Sequence, residues 1–351
     1  MHGMIKSIYD YFPKINANTA EEMAQQAGLD FNAIKLDIVY EYQPPFSEGV
    51  LRELLAKGWN QLQIVEWLRE NQHLRPKLVE RVAHDKVLVI REDDGRYLGV
   101  VGKHRGILQY RDVLAFTEGL VEQGKAAYVC GGILNSGSQA YVVMKTNRTI
   151  RLSDTDEVDC YFYVSTSHDS TKKLELVFAP LRKTNGTVLR FEGSSVGFKH
   201  TARVEQRVKQ AAVSVDKINK YFDNMETSFQ LLRGVRPTAA QLDVFFKGLF
   251  PDPETNVKRA EDIRHDIFSI YTHGPACQLP ATKGTMLGAY FAVVEWVDKQ
   301  RGVKKSRNRT EYDAKVHSLL EGSGAAEKAN AYAFALDLVN KLGDVTLITG
   351  V

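Results

Sequence analysis

The sequence predicts an α+β protein, and three observations carry the prediction. Between residues 83 and 198, short apolar runs are separated by turn residues. After residue 198 the apolar period becomes helical, and strands and helices nowhere alternate as a parallel, doubly wound sheet requires. The expected layout is a helical N-terminal region over 1–82, an antiparallel, hairpin-rich sheet core over 83–198, and a helical C-terminal region over 199–351 that begins with one long helix.

Each element has a local reason. Residues 19–28 read as a short helix, with Thr19 as N-cap, Glu22 completing a capping box and Gly28 as the stop. Residues 36–43 read as extended up to Pro44-Pro45, and 47–82 as helical, including KLVERV after Pro76. KVLVIR (86–91) and YLGVVGK (97–103) flank Asp94-Gly95 as a hairpin. A helix over roughly 112–123 ends at Gly124, a second hairpin turns at Asn135–Ser138, and VDCYFYVST with KLELVFAP brackets His168-Asp169-Ser170 as a third. TVLRFEG (187–193) reads as a further strand.

Val204, Val208, Ala211, Val215, Ile218, Phe222, Met225, Phe229 and Leu232 then recur at alternating steps of four and three. That 3.5-residue repeat makes one helix with a single apolar seam, about 50 Å long at 1.5 Å per residue. The seam needs a partner surface, in this chain or another. Further helices are expected at about 238–248, 259–271, 282–301, 310–320 and 325–341.

Composition excludes several classes. A net charge of +3 sets no global field, so a polyanion site has to come from local clusters. Cys130, Cys160 and Cys277 share no metal-ligand spacing, which fits a reducing compartment and a cytoplasmic location. The N-terminus lacks a signal-peptide core, and the most apolar stretch, 286–297, is 12 residues and contains Glu295. A buried helix, not a membrane span, is expected there. No cofactor and no metal site is expected.

Four motifs have bland readings that outweigh the sharp ones. Gly131–Ser138 lacks the lysine and following helix of a phosphate loop and reads as a hairpin turn. Ser167-His168-Asp169 are sequence neighbours, whereas a triad assembles from distant positions, so a turn or binding loop is the reading. His265, Asp266 and His273 lack ligand spacing. Leu51–Trp67 meets a helix-turn-helix pattern no better than any helical hairpin would.

Local charge is the stronger signal. From Arg182 to Lys209 there are seven Lys/Arg against two acids, and Lys199, Arg203 and Arg207 share a helix face with His200 beside them. A second run, Lys299 to Arg309, holds Arg301, Lys304, Lys305 and Arg307 and no acid. Tyr161 and Tyr163 lie on one strand face. Cationic grooves with stacking aromatics hold single strands without reading sequence. The expected contacts are therefore Arg182, Lys183, Lys199, His200, Arg203, Arg207, Lys304, Lys305 and Arg307 for phosphates, with Tyr161 or Tyr163 for bases.

The chain also resembles the phage/plasmid-like protein family, a domain family of unknown function. The resemblance rests on Ala27-Gly28-Leu29-Asp30, on Arg91 with Asp94-Gly95 leading into Leu98–Gly102, on Ser167–Ser170, on Asn185, and on Lys199-His200-Thr201. It departs where the family often carries a cysteine before the asparagine, since here Arg182-Lys183-Thr184 precede Asn185, and in the block at 47–82, which resembles a helical N-terminal insertion relative to shorter members. In outline, a hairpin-rich sheet followed by a basic-faced helix is similar to phage single-strand-annealing proteins of the RecT, Red-beta and ERF types. That resemblance implies a non-enzymatic, oligomeric single-stranded DNA or RNA binder of phage or plasmid recombination or replication. The rivals are a nucleic-acid or nucleotide-processing enzyme using His168-Asp169 and His200, and an oligomeric interaction protein of host defence or the virion.

Overall fold

The computed structural model describes residues 7–37, 40–43, 56–59, 63, 77–80, 85–191, 195–198, 215–303 and 310–348. The chain divides into two units, one of Met1–Phe31 with Gly106–Val351 and the other of Asn32–Arg105. The fold is α+β, with antiparallel sheets and helices concentrated in the C-terminal part, as the sequence predicts.

In the smaller unit, strands β1 (Ala33–Asp37), β4 (Lys86–Arg91) and β5 (Tyr97–Gly102) form an antiparallel sheet in the order β1-β4-β5. The β4–β5 turn works as its residues suggest: Gly95 takes φ 68°, and Arg91 reaches back to Asp93. β2 (Tyr40–Gln43) pairs antiparallel with β3 (Lys77–Glu80). That corrects the expected helix through KLVERV. Four residues are too few to separate periods of 2.0 and 3.6, and the backbone of Tyr40–Gln43 supplies the ladder. The rest of the expected helical insertion, including the helix-turn-helix segment, lies outside the described residues apart from 56–59 and 63.

The larger unit opens with helix α1 (Ala20–Ala27). Thr19 Oγ1 accepts from Glu22 N at 3.1 Å, and Gly28 closes the helix in the left-handed region. The Glu22 carboxylate accepts from Asn18 N, one residue ahead of a true capping box. Helix α2 (Tyr110–Glu122) precedes a seven-stranded antiparallel sheet: β6 (Ala126–Leu134), β7 (Gln139–Ser153), β8 (Asp156–Ser167), β9 (Leu174–Phe178), β10 (Leu181–Arg182), β11 (Thr187–Val188) and β12 (Ser195–Phe198). Its order is β11-β10-β8-β7-β6, with β9 on β8 and β12 on β9. Of the strand expected at 187–193, Thr187–Val188 pair with β10 among the described residues, which here end at 191.

Among the described residues six α-helices follow: α3 (Val215–Gly234), α4 (Ala239–Leu249), α5 (Val257–His273), α6 (Met286–Lys299), α7 (Glu311–Leu320) and α8 (Ser323–Ile348). The seam of α3 is closed by its own chain over the described span. Ile218, Phe222, Met225, Phe229 and Leu232 are all buried, with Phe222 against Phe178 and Phe229 against Phe291. Val204, Val208, Ala211 and the side chain of Val215 lie outside the described residues. The apolar stretch 286–297 forms most of α6 and is buried except at Glu295, which accepts a hydrogen bond from Asn185. No helix among the described residues is long and apolar enough to cross a membrane.

Two helices finish the edge of the sheet. Strand β11 would expose the backbone N–H and C=O of Val188 on its outer side. Asp298 Oδ2 accepts from Val188 N at 2.8 Å, and Lys328 Nζ donates to Val188 O at 2.8 Å and to Asp298 Oδ1 at 2.8 Å. A buried ion pair from α6 and α8 thus takes the place of a neighbouring strand. Close packing also fixes Gly288 near the start of α6, where an added Cβ would sit inside the contact radius of the Thr282 carbonyl oxygen. Backbone cannot yield as a flexible side chain can, so Gly288→Ala is expected to cost at least the ~1–3 kcal/mol typical of overpacking. A urea melt indistinguishable from wild type would show that this turn is loosely held.

Candidate nucleic-acid interface

The residues expected to hold a strand fall into three groups. Lys199, His200, Arg203, Arg207, Lys304, Lys305 and Arg307 lie outside the described residues. Lys183 is exposed on the β10–β11 hairpin and pairs with Glu157 at 2.8 Å. Its ammonium is therefore accessible, and the surface pair is cheap to exchange, since exposed pairs contribute only about 0–1 kcal/mol.

Arg182, Tyr161 and Tyr163 are corrected by burial. The Arg182 guanidinium is fully enclosed: Nε and Nη2 donate to Asp156 at 3.0 and 2.6 Å, and Nη2 donates to the Ala276 carbonyl at 2.6 Å. Its flat face lies 4.3 Å from the Phe291 ring centroid. It ties the hairpin to the helices and meets no solvent. Tyr163 is 0% exposed and donates its hydroxyl to Leu320 O at 2.7 Å. Tyr161 is 8% exposed and stacks on Tyr9 at 5.3 Å. The alternation of β8 does put both tyrosines on one face, but the N-terminal segment and the α7–α8 junction cover it.

The Ser167–Ser170 segment is a fastened turn. Ser167 Oγ accepts from Lys172 N at 2.9 Å, Asp169 Oδ1 accepts from Thr171 N at 2.9 Å, and Ser170 takes φ 68°. Asp169 Oδ2 accepts from Ser138 Oγ at 2.9 Å, and His168 N donates to Ser138 O at 2.8 Å, so two hairpin loops are bolted together. The His168 ring is 4% exposed and stacks on Tyr110 at 4.2 Å. Each member of this apparent Ser-His-Asp set serves the turn.

Other reactive groups are buried. Burial pushes the thiols of Cys130, Cys160 and Cys277 up to about 12, leaving them protonated and poor nucleophiles near neutral pH. Lys172 pairs with Glu321, which accepts from the Tyr141 hydroxyl at 3.1 Å, and the Lys172 ammonium lies 4.2 Å from the Tyr141 ring centroid. Nothing in the sequence joins Lys172 to a residue 149 positions away (321 − 172). Among the described residues, no group of three or more His, Cys, Asp and Glu side chains is placed to hold a metal ion.

Two of the pockets among the described residues of this unit carry arginine and lysine side chains. One, of about 620 Å³, is lined by Lys125, Thr146, Asn147 and Arg148 from the sheet side and by Asn219 and Asp223 of α3. Arg148 is occupied there, bonded to Asp223 at 2.5 Å and Glu226 at 2.7 Å. The other, of about 410 Å³, is lined by Arg301, Gly302, Val303, Glu311, Tyr312 and Lys315. In sequence, the second contains the residues just before Lys304.

The fold defines an α+β protein whose larger unit is an antiparallel sheet backed by helices. A family model described as a domain of unknown function (DUF932) matches residues 97–320, more than half of the 351-residue chain, and the chain belongs to that family. The match takes in Leu98–Gly102, Ser167–Ser170, Asn185 and Lys199–Thr201. No curated protein and no solved structure matches the chain.

Proposed function

We propose that this protein binds single-stranded nucleic acid, DNA in the first instance, and acts as an oligomer in phage or plasmid recombination or replication. One observation carries the reading. The run from Lys299 to Arg309 holds six cations and no acid in a chain of net charge +3, and Arg301, Gly302 and Val303 within it line an open pocket. A second cation-rich run, 182–209, leads into α3, and Lys183 is accessible within it. The mechanism is passive: lysines and arginines replace condensed counterions along the phosphates and release them to solution. The heptad seam gives little support to the rival assembly role, because Ile218 to Leu232 pack within the chain.

The test is anisotropy of a fluorescent single strand and of its duplex across a salt series, with mass photometry on the same samples. Tight binding to the single strand is expected, with log K falling by about 0.7 per neutralised phosphate for each unit of log salt. Oligomers should grow on the strand. No binding at low salt, or equal binding to duplex, refutes the proposal.

A further inference from the structure

The larger pocket, of about 620 Å³, keeps polar side chains that the protein itself does not use. Its floor is apolar, made of Leu120, Ala126 and Ile218, each at most 6% exposed. The Lys125 ammonium, exposed just after the left-handed Gly124, makes no ion pair or hydrogen bond with the described residues. Asn147 donates its amide N–H to the Gly124 carbonyl, which leaves Oδ1 as an open acceptor. Asn219 gives only its backbone carbonyl, to Arg148, so both ends of its exposed carboxamide remain open.

The remaining charges decide where an anion can go. Arg148 is spent on Asp223 and Glu226, one guanidinium against two carboxylates, and has nothing to offer a phosphate. Lys125 is the uncommitted cation of this pocket. In the smaller pocket the two lining cations are both taken. Arg301 is held by Glu327, Ser318 and Ser323, and Lys315 donates to the Arg301 carbonyl while the Asp298 carboxylate offsets its charge. Tyr312 there has a partner as well, and Glu311 adds an acid.

An apolar floor, open amide ends and one open cation together suit a nucleotide, whose base has apolar faces and a polar edge and whose backbone is anionic. The volume also lies within the range, roughly 300–1,000 Å³, that small-molecule sites occupy. We propose that this pocket holds one nucleotide of a single strand, with the base over the aliphatic floor, its edge bonded to Asn219 and Asn147, and its phosphate on Lys125. The inference rests on the single-strand reading above and locates one contact of it. A base held by its edge makes affinity depend on the base being present, which a purely electrostatic groove does not.

The test uses the full chain, a short fluorescein-labelled oligothymidylate and an abasic oligomer of the same length. Asn219→Ala and Lys125→Gln stand beside wild type, with Lys258→Gln as control, an exposed lysine that lines neither pocket. Asn219→Ala is expected to weaken oligothymidylate binding about two- to tenfold, one net hydrogen bond, and to leave abasic binding unchanged. Lys125→Gln should lower the salt slope by about 0.7 on both oligomers, one phosphate, while Lys258→Gln leaves it as it was. A residue that only held the fold would move both oligomers alike. If wild type binds the strand while Asn219→Ala and Lys125→Gln match it, or if Asn219→Ala weakens both oligomers equally, the subsite is wrong and the broader reading survives. If wild type binds no single strand at low salt, that reading fails and the subsite with it.

Discussion

Replacing Arg182 with methionine is expected to remove about 3–5 kcal/mol of folding stability, the cost of leaving one partner of a buried ion pair alone. Both side chains of the Arg182–Asp156 pair are 0% exposed, so water cannot solvate the carboxylate left behind. Thr184 Oγ1 still donates to Asp156 at 2.7 Å, but one neutral hydrogen bond does not replace a bidentate guanidinium. The Ala276 carbonyl loses its donor as well, which loosens the tie between the hairpin and the helices. The companion variant is the informative one. Arg182→Met with Asp156→Leu removes both charges, and buried pairs replaced by apolar groups are often neutral or better. Urea unfolding of the two single variants and the double variant should therefore show two large losses and a partial recovery. A loss below about 1 kcal/mol in Arg182→Met would mean that the guanidinium contributes no more than an exposed pair.

That same residue shows where sequence reading stops. Arg182 precedes Lys183, and a neighbouring pair of cations on a predicted hairpin looks like surface. Its carboxylate partner is at the far end of the β7–β8 hairpin and its carbonyl partner is on the turn before α6, so only tertiary structure separates Arg182 from Lys183. Tyr161 and Tyr163 repeat the lesson. Period-two alternation correctly assigns them to one face, but it cannot say that Tyr9 and the Leu320 carbonyl wait there. Local chemistry, by contrast, was legible. Asp94-Gly95, Asn135–Ser138 and Gly124 turn or stop the chain where their backbone preferences demand, and the α3 seam is buried at every described heptad position. The strand at Lys77–Glu80 escaped because four residues carry no period of their own.

The largest effect is expected at alkaline pH. Burial raises the thiols of Cys130, Cys160 and Cys277 from near 9 to about 12, and it raises Tyr9, Tyr110, Tyr163 and Tyr290 well above 10. All seven groups have folded-state values above their unfolded ones. As pH climbs past the unfolded values, about 8.5 for thiols and 10 for phenols, the unfolded chain releases protons that the folded chain keeps. Their stabilisation is thus complete below those values and is lost as pH approaches the folded ones. Each such group contributes a slope of about 1.4 kcal/mol per pH unit. Three thiols give about 4 kcal/mol per unit from pH 9, and the four phenols bring this to about 10 above pH 10. Lys328 and Lys315, whose values burial lowers, act in the opposite sense up to their unfolded value near 10.4, but they are two against seven. A domain stable by ~5–15 kcal/mol cannot sustain that slope for two units, so cooperative unfolding is expected between about pH 10 and 11. The absorbance of exposed rings such as Tyr97 rises gradually around pH 10, whereas the share that belongs to the buried phenols should appear in one step with the loss of far-ultraviolet ellipticity, because those phenols ionise only when the chain opens. Titration of all the tyrosines around pH 10 with the ellipticity intact would mean that the buried rings reach water in the folded state.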